Sequence, residues 1–131
     1  MSRFFLQIAL VILVVTRGAG AAPQREQTGS HEAAKIKFRL DDIRPDGLRG
    51  SPGGLVAVAY EFCVPADDRG YQEVKRIDPS VKIHLHSRGR IGCSKGQTLC
   101  IGTTNQPRWR EILKELTEQK YIAEIRECFF E

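Results

Sequence analysis

Leu55 to Val64 reads LVAVAYEFCV, and the placement of this run decides the fold. It is almost continuously apolar and rich in β-branched and aromatic residues, the pattern of a central strand buried on both faces. Pro65 closes it, and Asp67-Asp68 follow as acidic residues suited to cap a helix and meet its dipole. Tyr71, Val74 and Ile77 then recur at helical spacing until Asp78-Pro79 stops the run. Val81 to His86 alternates apolar and polar, a second strand. A glycine-rich hairpin leads to a short third strand, Thr98 to Thr103. Pro107 marks a second helix start, and Trp109, Ile112, Leu113 and Leu116 form one apolar stripe. Tyr121 to Phe130 reads as a last strand.

The order β-α-β-β-α-β over residues 55–131 resembles the ferredoxin-like sandwich, an α+β fold with two helices on one face of an antiparallel sheet. The resemblance lies in topology and implies that the 55–64 strand is central. Upstream, residues 35–54 hold a candidate edge strand, Lys35 to Leu40, and a Gly/Pro-rich connection. Arg44-Pro45-Asp46-Gly47 is turn chemistry, and Ser51-Pro52-Gly53-Gly54 breaks the chain again. Parity assigns Val81, Ile83, Leu85, Leu99 and Ile101 to the helices, and Lys82, His84, His86, Thr98 and Cys100 to the opposite face. Ile125 and Glu127 share a face, which leaves the Glu127 carboxylate without an account unless it ends a strand.

The amino terminus reads as a signal peptide, residues 1–21. Arg3 supplies a positive n-region, Phe4 to Val15 an apolar core and Ala19-Gly20-Ala21 a cleavage site. The apolar core is shorter than the ~20 residues that span a bilayer, so no membrane span is expected after cleavage. Residues 22–34 read as a flexible leader. The expected location is secreted or periplasmic. Arg3 and Arg17 leave with the signal, so 20 basic residues become 18 against 16 acidic ones and the net charge falls from +4 to +2. That balance gives no clear case for nucleic acid.

Four cysteines in an exported chain suggest two disulfides. Cys93–Cys100 would close the hairpin, leaving Cys63–Cys128 by elimination. The topology opposes that second bond, because it separates Cys63 and Cys128 by ~20 Å, beyond the ~7 Å limit for bonded Cα atoms. Cys63–Cys100, or free thiols, are the alternatives.

From Pro79 to Arg110 there is no acidic residue, and Arg88, Arg90, Lys95, Arg108 and Arg110 concentrate there. With glycines that admit close backbone approach, the Ser87–Thr104 hairpin and the following helix start read as an anion-binding surface. His84 and His86 form an H-x-H pair compatible with zinc or copper, but with no third ligand beyond Cys100. Asp41, Asp42 and Asp46 lack calcium-loop spacing. Neither Ser87 nor Ser94 lies in a nucleophile elbow. The expectation is a non-enzymatic binding or accessory domain, without a cofactor, that contacts an acidic protein surface or another anionic ligand. The alternative is a thiol-redox or metal-binding protein acting through Cys93/Cys100 or His84/His86.

Overall fold

The computed structural model describes Gly20 and residues 34–130. Apart from Gly20, the expected signal peptide lies outside these described residues, as does the expected leader up to residue 33. The chain is α+β, with a two-stranded and a four-stranded antiparallel sheet. Strands β1 (Leu48–Arg49) and β2 (Val56–Ala57) pair as a small hairpin. The larger sheet holds β3 (Ala59–Pro65), β4 (Lys82–His84), β5 (Gln97–Thr103) and β6 (Arg126–Glu127) in the order β4-β5-β3-β6. Helix α1 (Asp68–Ile77) connects β3 to β4, and α2 (Trp109–Glu118) connects β5 to β6.

The expected 55–64 strand is divided at Val58. Its N–H donates to Thr104 Oγ1 at 2.9 Å and its C=O accepts the Thr104 N–H at 2.9 Å, so Val58 pairs with neither neighbouring strand ladder. Helix α1 begins as its sequence suggests, with the Asp67 carboxylate accepting the Gly70 N–H at 2.7 Å. Lys75 and Arg76 occupy the last turn, where cations meet the helix dipole favourably. The last strand is much shorter than Tyr121–Phe130. The Lys35–Leu40 segment makes only one parallel bridge, Ile36 to Ile125, with the Lys37 N–H donating to the Ile125 C=O at 2.9 Å.

Tyr60, Phe62 and Val64 alternate onto one face of β3 and meet Val74 and Ile77 of α1 and Leu113 and Leu116 of α2 in the main core. Each such side chain contributes ~1.5–3 kcal/mol through burial. The register of β5 differs from the expected parity. Cys100 lies opposite Phe62 and Thr98 opposite Val64, so these residues share the helix-side face. Thr98 Oγ1 and the Tyr71 hydroxyl of α1 share a hydrogen bond at 2.7 Å. Leu99, opposite Cys63, faces away from the helices yet is only 2% exposed. Apolar content cannot fix parity when both faces are covered, and here the 87–96 loop covers the second face.

Two polar contacts settle what the pattern left open. Glu127 on β6 receives both terminal nitrogens of Arg49 on β1, a bidentate ion pair that ties the small sheet to the large one. Asp78 is fully buried; its carboxylate accepts the Tyr60 hydroxyl at 2.6 Å and the Ser80 hydroxyl at 2.7 Å. Gln106 Nε2 joins this cluster through Asp78 Oδ1 and Ser80 Oγ, both at 2.9 Å. Gly102 lies directly beneath it: a Cβ there would stand 2.4 Å from Asp78 Oδ2 and 2.6 Å from the Tyr60 ring.

Gly102→Ala should therefore cost ~2–3 kcal/mol by overpacking a site whose neighbours are hydrogen-bonded in place. A urea unfolding midpoint equal to that of the parent protein would contradict this packing.

Candidate functional site

One disulfide is present, Cys63–Cys93, with a Cα–Cα distance of 5.6 Å; Cys100 and Cys128 are free thiols. This corrects the expected pairings. Cys93 cannot bond Cys100, because Cys100 belongs to the helix-side core while Cys93 lies over the opposite face against Cys63. Cys128, whose N–H donates to the Ala59 C=O, sits at the far end of β3 from Cys63.

The disulfide secures the loop between β4 and β5. After His84, the chain turns at Leu85-His86 and runs irregularly to Gln97. Glu61 is 3% exposed and points to this second face, where its carboxylate accepts the Ile91 N–H at 2.7 Å. Arg88 Nε donates to the Cys93 C=O at 2.8 Å, and the Cys93 N–H returns a bond to the Arg88 C=O at 2.9 Å. Gly89 has φ +65° and lies against Leu99 and Glu61, where a Cβ would come within 2.8 Å of both. A side chain there would lift the loop off the sheet.

Beside this anchored loop is a cleft of about 450 Å³, lined in part by His86, Ser87, Arg88, Ser94, Lys95 and Gln97. No carboxylate lines it. Arg88 and Lys95 thus face a site with hydroxyl and amide donors and no internal counter-charge. Glu61, which supports the loop from below, is buried and engaged by Ile91. Arg90 lies on the same side, close enough to Cys128 to act on its thiol electrostatically.

The other two expected cations are elsewhere. Arg108 and Arg110 follow the end of β5, whereas Lys95 precedes its start, a separation of ~20 Å along the strand. The Arg110 guanidinium carbon stands 4.2 Å above the Trp109 ring, and Arg110 Nη2 donates to the Ile43 C=O at 3.0 Å, a structural placement. Arg108 adopts a left-handed φ of 59° before α2 and lines a larger cleft of about 640 Å³. There Arg76 and Arg108 are offset by Glu111 and Glu115, and Arg76 pairs with Glu115 at 3.5 Å. Ser80 also borders this cleft, but its hydroxyl donates to Asp78 and accepts from Gln106 and the Thr103 N–H. Its lone pairs are occupied, so it is not an available nucleophile.

His84 lies opposite Leu99 and is half-buried, while His86 is exposed in the turn. Cys100, expected beside them, is opposite Ile83 and faces the core. Among the described residues, no group of three His, Cys, Asp or Glu side chains is placed to hold a metal. Sequence reasoning held Ser94 and Gln97 only as part of the hairpin and His86 as a metal candidate, and it missed Glu61 beneath the loop. A carboxylate inside the apolar run AYEFCV was the available signal for Glu61.

Both thiols are weak nucleophiles. Burial, reinforced by Asp78, pushes Cys100 from its ordinary 9.0 up to about 12. Burial and then Glu61 raise Cys128, against an opposing effect of Arg90. Between 9.0 and about 12 the folded chain keeps the Cys100 proton that the unfolded chain releases, so stability falls as pH rises. The slope should reach ~1.4 kcal/mol per pH unit for this group, and Cys100→Ala should flatten it in urea titrations across that interval. In native protein an alkylating reagent should modify Cys128 slowly and leave Cys100 untouched; rapid labelling of Cys100 would contradict its burial. No protein-family model, curated protein or solved structure matches this chain.

Proposed function

We propose that the protein is an exported, non-enzymatic binding or accessory domain that receives an anionic ligand or an acidic protein surface in the cleft beside the 87–96 loop. The observation that carries this reading is the cleft lining: Arg88, Lys95 and His86 share it with hydroxyl and amide side chains, and no carboxylate accompanies them. A guanidinium and an ammonium held over a preformed backbone suit carboxylate, sulfate or phosphate groups. Arg108 and Arg110, close to this segment in sequence, do not line the cleft and are not needed for this contact.

Export is supported by the amino-terminal sequence pattern and by the Cys63–Cys93 bond, which suits an oxidising compartment such as the periplasm or the extracellular space. Among the described residues no helix is long and apolar enough to cross a membrane. The strand order β4-β5-β3-β6, with one helix after β3 and one after β5, supports a ferredoxin-like sandwich carrying an added hairpin, β1-β2. The thiol reading loses its proposed working pair, since Cys93 is bonded to Cys63 and Cys100 faces the core.

The test is binding of a fluorescein-labelled hexaglutamate peptide, followed by anisotropy, with a sulfated polysaccharide as competitor. Arg88→Glu/Lys95→Glu should weaken binding at least tenfold, and raised salt should weaken the parent protein's binding. Lys120→Glu, an exposed charge reversal just past α2, should have little effect. Equal affinity in the parent and the double variant would overturn the proposal.

A further inference from the structure

We infer that the Cys63–Cys93 disulfide is a redox latch on the basic cleft: opening it disassembles the anion site while the helix-side core stays folded. This inference rests on the binding reading above.

The cleft is built on the bond. Cys93 itself lines the cavity, and Arg88 is aimed by its Nε hydrogen bond to the Cys93 C=O. Ser94 and Lys95 follow Cys93 directly in the same wall. Downstream the chain is next tied at Ser94, whose N–H donates to Gln97 Oε1 at 2.9 Å and whose C=O accepts the Gln97 N–H at 3.0 Å, and then at Gly96, whose C=O accepts the Ala66 N–H at 3.0 Å. Upstream it is held to β3 at Ile91, by the Glu61 carboxylate. Between Ile91 and Ser94 the disulfide is the tie to the sheet, so its loss frees Cys93, whose carbonyl orients Arg88, and leaves the Ser94–Lys95 turn held by hydrogen bonds alone.

The core does not depend on this tie. Cys93 and Leu99 belong to the loop side, whereas Tyr60, Phe62, Val74, Leu113 and Leu116 make a separate cluster under the helices. Reduction therefore acts on one face of the sheet. The free thiols are poorly placed to scramble the bond: Cys100 is on the other face and Cys128 is at the far end of β3, and both are held protonated by burial.

The reductant is an external dithiol, either a small molecule or a thiol pair carried by another protein. Its thiolate attacks the sulfur of Cys63, the less buried partner, and forms a mixed disulfide as Cys93 leaves as thiolate. The second thiol of the reductant then releases Cys63. The balance is one protein disulfide reduced to two thiols, and two external thiols oxidised to one disulfide.

The experiment titrates labelled hexaglutamate into oxidised protein, protein held in dithiothreitol, and Cys63→Ser/Cys93→Ser. Fluorescence of the sole tryptophan, buried Trp109, reports the core. The expected result is binding by the oxidised form, at least tenfold weaker binding in dithiothreitol that recovers on reoxidation, and weak, dithiothreitol-insensitive binding by the double variant. Trp109 emission should stay native in all three. Affinities within twofold of one another would overturn the latch and leave the binding reading intact. A loss of binding accompanied by an unfolded Trp109 signal would also overturn it, because the effect would then be global. Oxidised protein that binds no better than Arg88→Glu/Lys95→Glu would overturn the binding reading itself, and the latch with it.

Discussion

The antiparallel register of β3 against β5 sets Phe62 opposite Cys100 and Cys63 opposite Leu99, and most of the molecule's chemistry follows from it. A slip of one residue would exchange every side chain between the two faces. In the observed register Tyr60, Phe62 and Val64 enter the helix-side core, while Glu61 and Cys63 emerge on the other face, within reach of the loop. The same register buries Cys100 and removes it from the company of Cys93, His84 and His86.

Two buried carboxylates hold the molecule's irregular segments. Asp78 gathers Tyr60, Ser80 and Gln106, joining the end of α1 to the central strand and to the segment before α2. Glu61 performs a related task on the opposite face, where it fixes the 87–96 loop through Ile91. Each carboxylate is tolerable when buried because it accepts hydrogen bonds there; an unpartnered one would cost several kcal/mol. The arrangement also explains why the loop retains a positive field. Its supporting acid is buried beneath it, and the exposed cleft wall holds Arg88 and Lys95 without a carboxylate.

The basic run from Pro79 to Arg110 is one block in sequence but two places in space. Arg88 and Lys95 border the loop cleft, Arg108 borders a cleft that glutamates share, and Arg110 is spent on Trp109 and Ile43. The length of β5 separates them. Charge density along the chain identified the segment; the strand then divided it.

Local chemistry was legible without coordinates. The apolar run before Pro65, the Asp67 cap, the helical spacing of Tyr71, Val74 and Ile77, and the stripe on α2 all act over a few residues, and each produced the expected type of element. A central strand before Pro65 and the α+β class were therefore readable from sequence. Disulfide partners, the facing of β5, the Arg49–Glu127 pair and the Asp78 cluster were not, because each joins residues distant in sequence. Cys63 and Cys93 pair only because the loop folds back over the sheet, and nothing in their spacing announces it. Alternation also fails as a guide when both faces are covered, as Leu99 and Cys100 illustrate. By itself the sequence determined the elements, through short-range propensity and capping; tertiary structure alone decided which side chains meet, because register and loop closure are settled by packing across the whole chain.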